Sequence, residues 1–284
     1  MAKAIHWFPG HMKKAQNEIL DKLKLVDCVI ELLDARIPFS SRNNFLYKLS
    51  NGKKRVIVLT KSDLADPIIN DKWINFFKSN GFEALFVDLN KQSDIKKIIS
   101  CVENVGKEKQ EKQILKGMKP QPIRAMIIGI PNVGKSTLIN KISGRRAASV
   151  MNKPGHTKSQ QWIKVSNKFE LLDTPGILQS SYEDKDKTIN LALTGSINEN
   201  ILPDEELAFY LLDFLKEKYS ILLTKRYNIE IKNDNNELLH DIAIKRGLME
   251  NGEFNNLRAA KLLLNEFKNG FIGRISLEQE TKCL

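Results

Sequence analysis

Gly129-Ile-Pro-Asn-Val-Gly134-Lys135-Ser136-Thr137 lies between the apolar run Ala125-Met-Ile-Ile-Gly-Ile130 and the helical start Leu138-Ile-Asn-Lys-Ile142. The first run predicts a buried parallel strand and the second a helix. Strand, glycine-containing turn and helix in that order make a phosphate-binding loop of the form G-x-x-x-x-G-K-S. The chemistry needs these residue types. Gly129 and Gly134 let the backbone curl so that several N–H groups point at one phosphate. Lys135 brings a positive charge to the outer phosphates, Ser136 offers a hydroxyl to Mg²⁺, and the helix N-terminus adds its positive dipole end. Asn132, Val133 and Thr137 complete the candidate nucleotide-contacting stretch. The reading implies a nucleoside phosphate ligand.

A second element lies upstream. Arg55-Val-Ile-Val-Leu-Thr60 predicts another buried strand, followed by Lys61-Ser62-Asp63. An Asp just past a strand end accepts bonds from the ring N–H and the exocyclic amine of guanine, a donor pair adenine lacks. The Lys two residues earlier lays its aliphatic stem over the base face. Thr60-Lys61-Ser62-Asp63 is a short pattern by itself, but in one domain with a phosphate loop it points to GTP and GDP, and Asp63 argues against an ATP-using phosphotransferase. Helix 67–80, with Trp73, Phe76 and Phe77 inward, leads to strand 84–87 and the loop Asp88-Leu89-Asn90, a further candidate on the base side. A helix over about 92–105 then enters the lysine-rich stretch 107–124, which reads as a frayed connector.

Downstream of the phosphate loop, 145–161 is polar and basic and contains Pro154-Gly155-His156-Thr157. It has the spacing of a mobile loop whose Thr157 hydroxyl completes the Mg²⁺ shell. Strands near 162–165 and 169–172 follow, and the second ends in Asp173-Thr174-Pro175-Gly176. There Asp173 holds a Mg²⁺-bound water and the Gly176 N–H senses the γ-phosphate, as a second switch. At the N-terminus, Trp7, Phe8 and Met12 predict a segment docked on the body, with His6 and His11 as its titratable groups. A helix over 12–25 leads into a strand at 26–33. That strand ends at the polar loop 34–43, on the sheet edge where open α/β sheets bind ligands.

Composition sets the remaining bounds. The chain has 284 residues, 42% hydrophobic and 28% charged, as expected of a globular protein with a real core. Its net charge of +11 is unevenly spread: Lys and Arg number 32 against 18 Asp and Glu over 1–185, and 13 against 16 over 186–284. A basic half that holds the phosphate loop suggests a polyanionic partner larger than one nucleotide, RNA above all. The three scattered cysteines suggest neither disulfides nor zinc, and no signal-peptide core or membrane-length run is present, so a cytoplasmic protein without membrane contact is expected. From about 186 the pattern becomes helical, with helices expected at 187–198, 204–218, 236–247 and 255–268. Pro203 fits a helix start, and 207, 210, 211, 214 and 215 form one apolar face. The stretch 270–276 gives no clear reading.

In the usual GTP-binding order the phosphate loop precedes the guanine-reading motif, and here it follows. The expected fold class is α/β: a circularly permuted P-loop GTPase domain over 1–185, about six strands with helices on both faces, then a small all-α domain over 186–284. The cut falls just after the second switch, which gives the helical domain the task of anchoring that switch. The order resembles the circularly permuted GTPases. Segments 7–12 (Trp-Phe-Pro-Gly-His-Met), 34–38 (Asp-Ala-Arg-Ile-Pro), 129–137 and 159–162 (Ser-Gln-Gln-Trp) closely resemble the bacterial ribosome biogenesis GTPase A family. The resemblance implies a GTPase that assists late assembly of the large (50S) ribosomal subunit, binds 23S rRNA, is stimulated by the particle and is a monomer away from it, with no DNA partner. It also implies that Asn132 holds an activating K⁺. Ile177 stands where many GTPases place a water-orienting Gln, and the family assigns that role to the histidine matching His11, with Arg36 or an rRNA group as the alternative. A second reading is an RNA-binding assembly factor that uses GTP only as a conformational ligand.

Overall fold

The computed structural model describes residues 5–6, 20–50, 52–144, 162–172, 181–182, 184–197 and 202–279. After the two-residue strand β1 (Ile5–His6), three apolar runs build the centre of a sheet, β2 (Cys28–Asp34), β3 (Lys54–Thr60) and β5 (Ile123–Gly129), and β4 (Glu83–Phe86) forms one edge. β2 is buried along its whole length, and β3 and β5 at every position but one. Such runs without alternation are what parallel strands covered on both faces require. β6 (Trp162–Lys164) and β7 (Phe169–Leu172) complete a six-stranded sheet of order β4-β3-β2-β5-β7-β6, parallel except for β6. The six expected strands are therefore all present in one sheet.

Helices cover both faces. On one side α2 (Pro67–Ser79) packs Ile69, Trp73 and Phe77 against Leu33, Ile57 and Leu59. Asp66 caps it by accepting from the Ile68 N–H at 2.9 Å, and Pro67 occupies the first turn. On the other side α3 (Gln92–Leu115) and α4 (Lys135–Ser143) cover Ile30, Val56 and Ile127. A six-residue helix, α1 (Asn44–Leu49), sits in the β2–β3 connection.

The lysine-rich stretch is not frayed as expected, because α3 continues to Leu115. Glu108 pairs with Lys112 at 2.7 Å and Lys107 with Glu111 at 3.6 Å, both at i,i+4. Lys54 and Asp27 also tie this half of the helix to the sheet edge, through Glu108 and Lys109.

Beyond β8 (Ser181–Tyr182), which pairs antiparallel with β1, the chain is helical. α5 (Lys185–Leu193) ends five residues before the expected 198, because Gly195 takes a left-handed conformation (φ 72°). α6 (Asp204–Lys218) has the expected bounds, with acidic residues in its first turn and lysines in its last, matching the helix dipole. α7 (Ser220–Tyr227) was not anticipated. It is separated from α6 only by Tyr219 (φ −139°, ψ 36°). α8 (Asn235–Arg246), the hairpin β9 (Met249–Glu250) and β10 (Glu253–Phe254), and α9 (Asn256–Lys268) follow. Leu207, Leu211, Ile242 and Leu263 from these helices join the same contiguous core as Ile30 and Ile127.

The last described stretch, 270–279, forms no regular element but runs back across the loops at the C-terminal edge of the sheet. Its Ile275 N–H donates to the Leu64 carbonyl and its Leu277 N–H to the Arg36 carbonyl, both at 2.9 Å. We call this stretch the strap. Among the described residues no helix is long and apolar enough to cross a membrane.

Candidate functional site

The phosphate loop joins the end of β5 to the start of α4. A Cβ on Gly129 would lie 2.8 Å from the Leu32 carbonyl of β2, so only glycine lets the two strands meet there. Gly134 has φ 102° and Asn132 φ 57°, left-handed positions that turn successive N–H groups toward a common centre. No side chain caps α4, so the helix start presents its positive dipole end to a ligand. Lys135 is buried, with its ammonium 2.6 Å from the Ile130 carbonyl and 3.1 Å from that of Gly129. Ser136 and Thr137 are half-buried on the first turn.

The parallel register places the end of β3 near this loop. Thr60 is fully buried, and its hydroxyl lies 2.7 Å from the Val133 carbonyl and 3.1 Å from that of Leu33. It ties the base side to the phosphate side. Lys61 follows in a left-handed conformation (φ 56°) that a lysine rarely adopts, and Asp63 is exposed. The Ser62 N–H donates to the Val87 carbonyl at 3.3 Å. In the third loop the Asp88 carboxylate accepts from the Asn90 N–H at 2.9 Å, and Leu89 packs over Gly134, where a Cβ would meet its methyl at 2.7 Å. The structure thus brings together residues 60–63, 88–90 and 132–137. A cavity of about 490 Å³ beside Asn190, Tyr210 and Leu277 includes none of them.

Asp34 and Arg36 belong to this site by geometry. Arg36 is 1% exposed, and its Nε and Nη2 donate to Asp34 at 3.0 and 2.8 Å. Its guanidinium also donates to the Lys268 carbonyl at 3.3 Å and stacks over the Phe267 ring of α9. The alternative role of Arg36 as the orienter of water does not suit so committed a group. Asp34 also takes Lys61, Nζ to Oδ2 at 3.0 Å. Burial alone would raise the Asp34 carboxyl, but the charges and hydrogen bonds of Arg36 and Lys61 outweigh it and hold the group well below the usual carboxylate range. The acid and base two residues apart at a strand end were visible in the sequence, but their partner Lys61 lies one strand away.

His11, Thr157, Asp173 and Gly176 lie outside the described residues. The chain on either side is located: His6 pairs with Ser181, which joins β1 to the strand that follows residues 173–176 in the chain. Asn132 donates its Nδ2 to the Gly195 carbonyl at 2.8 Å, linking the phosphate loop to the end of α5. Among the described residues no group of three His, Cys, Asp or Glu could hold a metal. The donor set here is one hydroxyl, Ser136, beside an uncapped helix start. That suits a cation bound mainly through phosphate oxygens. The Cys28 thiol is buried and that of Cys101 half-buried, and desolvation pushes them up to about 12 and about 11, away from the thiolate form.

Phosphate loop and base loop on one sheet, in this chain order, define a circularly permuted P-loop GTPase. The family model described as "50S ribosome-binding GTPase" matches residues 124–243, leaving Thr60–Asp63 outside the match. The chain is 44% identical to ribosome biogenesis GTPase A of Bacillus cereus over 96% of its own length and 93% of that protein. It is 43% identical to the Priestia megaterium protein of the same name, covering 98% of both. The solved GNP-bound YlqF from T. maritima superposes with a TM-score of 0.64 at 30% identity, covering 94% of this chain and 98% of that one. A GDP-bound YlqF gives 0.62 at 29%, covering 92% and 98%. The chain belongs to the ribosome biogenesis GTPase A family.

Proposed function

We propose that this chain binds GTP, hydrolyses it to GDP and phosphate, and acts as an assembly factor for the large (50S) ribosomal subunit through contact with 23S rRNA. The observation that carries the reading is the Thr60–Val133 bond, which holds a guanine-reading sequence against a phosphate loop within one sheet. In this reading Asp63 takes the two guanine donors, the Lys61 stem covers the base, and residues 88–90 close its other side. Residues 132–137 cradle the phosphates and Lys135 turns its charge from the loop carbonyls to the outer phosphates. Ser136, Thr157 and Asp173 would hold a Mg²⁺ and Asn132 a K⁺, which when bound would neutralise phosphate charge. Gly176 senses the γ-phosphate and His11 orients the attacking water.

The division at 185/186 separates a nucleotide domain from a helical adaptor. The Asn132–Gly195 bond and the β1–β8 pairing support the idea that the adaptor follows the switch. The protein is a cytoplasmic monomer away from the ribosome. The excess of positive charge over 1–185 supports an RNA partner.

The test is GTP turnover in KCl with and without purified large subunits. A rise of about tenfold, worth about 1.4 kcal/mol of barrier, is expected. No rise with particle binding intact favours the second reading, in which GTP is only a conformational ligand. His11→Ala should keep GTP affinity and lose the stimulated turnover; intact turnover in that variant returns the water to an rRNA group.

A further inference from the structure

The base-reading loop has no ladder of its own. Residues 61–66 connect β3 to α2, and the strap supplies much of what their backbone needs. The Arg274 side chain donates to the Ser62 and Ala65 carbonyls, both at 2.9 Å. Ile275 N–H donates to the Leu64 carbonyl at 2.9 Å, and the Ser276 hydroxyl accepts from the Asp66 N–H at 3.1 Å. Gly270 lies against Leu64 so closely that a Cβ would meet its methyl at 2.7 Å. Tyr219, between α6 and α7, adds a hydroxyl bond to the Asp66 carboxylate at 3.1 Å.

The strap is itself clamped onto the neighbouring loop. Glu278 accepts from the Phe39 N–H at 2.6 Å, the Ser40 N–H at 2.9 Å and the Ser40 hydroxyl, and the Trp73 indole donates to its carbonyl at 3.0 Å. Arg36 closes the circuit, with its backbone carbonyl on Leu277, its side chain on α9 and, through Asp34, its influence on Lys61.

We infer that the strap, through Arg274 and Ser276, is the positioning element for guanine recognition, so that base binding and strap docking strengthen one another. This inference rests on the reading of Thr60–Asp63 as the guanine-contacting loop. Fixing a loop residue costs about 1–2 kcal/mol of conformational entropy. A loop already fixed by the strap has less to lose when the base arrives, and by linkage the base returns the same coupling to the strap. The strap's bonds reach residues 36, 39–40 and 62–66, and the Thr60–Val133 bond to the phosphate loop lies outside them, so phosphate affinity does not share in the coupling.

The experiment compares GDP with pyrophosphate, a probe that meets only the phosphate loop. Asp63→Asn is measured first; a switch of preference from GDP to xanthosine diphosphate establishes the base-reading loop, and no switch overturns that reading itself. With that in hand, Arg274→Ala should weaken GDP by about tenfold and leave pyrophosphate unchanged, with Arg274→Lys restoring part of the loss. Ser276→Ala is the milder second variant should Arg274→Ala fail to fold. In the unaltered protein, GDP should slow amide exchange across 270–279 while pyrophosphate should not. Unchanged GDP affinity in a folded Arg274→Ala, or equal protection by both ligands, overturns the coupling.

Discussion

The two loops that we propose face the nucleotide are built in opposite ways. The phosphate loop holds its own shape: glycine at 129 and 134, left-handed backbone at 132 and 134, and a lysine satisfied by carbonyls five and six residues away. The base loop is shaped from outside, by Asp34 on the next strand and by residues 210 positions later in the chain. Phosphate is met by one compact stretch of sequence and can be recognised wherever that stretch occurs. Base recognition is a property of the assembled molecule. The comparison therefore predicts that perturbing one loop changes all ligands together, whereas perturbing the other changes only those that carry a base.

The largest effect is expected at Asp34. Asp34→Asn leaves Arg36 buried without its counter-charge and should cost about 3–5 kcal/mol in urea unfolding. In the unaltered protein this carboxyl titrates lower when folded than when unfolded. Its stabilising contribution is then complete above the ordinary Asp range, near pH ~4, and is lost as pH falls from there toward the folded value. A unfolding free energy that stays flat through that acid range would break this assignment.

Gly129→Ala comes next. Its added methyl presses on the Leu32 carbonyl and should cost about 1–3 kcal/mol, with GDP and pyrophosphate weakened alike in calorimetry. Unequal losses would show that the phosphate loop is not self-contained. Thr60→Val keeps the shape but removes the hydroxyl between the two loops. A loss of about 1 kcal/mol is expected in denaturant melts, and it would sharpen the comparison by separating contact between the loops from the form of each. Tyr219→Phe should have the smallest effect, about 0.5–1 kcal/mol. Asp66 keeps its bond to the Ile68 N–H and loses only the phenol.

The same contrast explains what could be read from the sequence. The phosphate loop, the three central strands and helices 204–218 and 256–268 are encoded by residues close together, in buried runs, glycine spacing and caps. The extension of α3 was also encoded locally, in the Glu108–Lys112 and Lys107–Glu111 spacings, but an abundance of lysine resembles a solvated linker until those pairs are counted. The strap carried no such signal. Its residues have no period, and their conformation comes from carbonyls on a loop some 210 positions earlier. Arg36 is the sequence's alternative to His11 for orienting the water, whereas its neighbours commit it to Asp34 and α9.

One consequence concerns the order in which the protein is made. Residues 60–66 leave the ribosome long before Arg274, Ile275 and Ser276 are added, an interval of roughly 10–40 s at ordinary bacterial elongation rates. For the later part of that time, once residues 129–137 have also emerged, the nascent sheet has its phosphate loop but not the support that shapes its base loop. A chain stopped short of the strap could grip polyphosphate yet choose poorly among nucleotides. Full selectivity arrives only once the strap has been made and has docked on that loop.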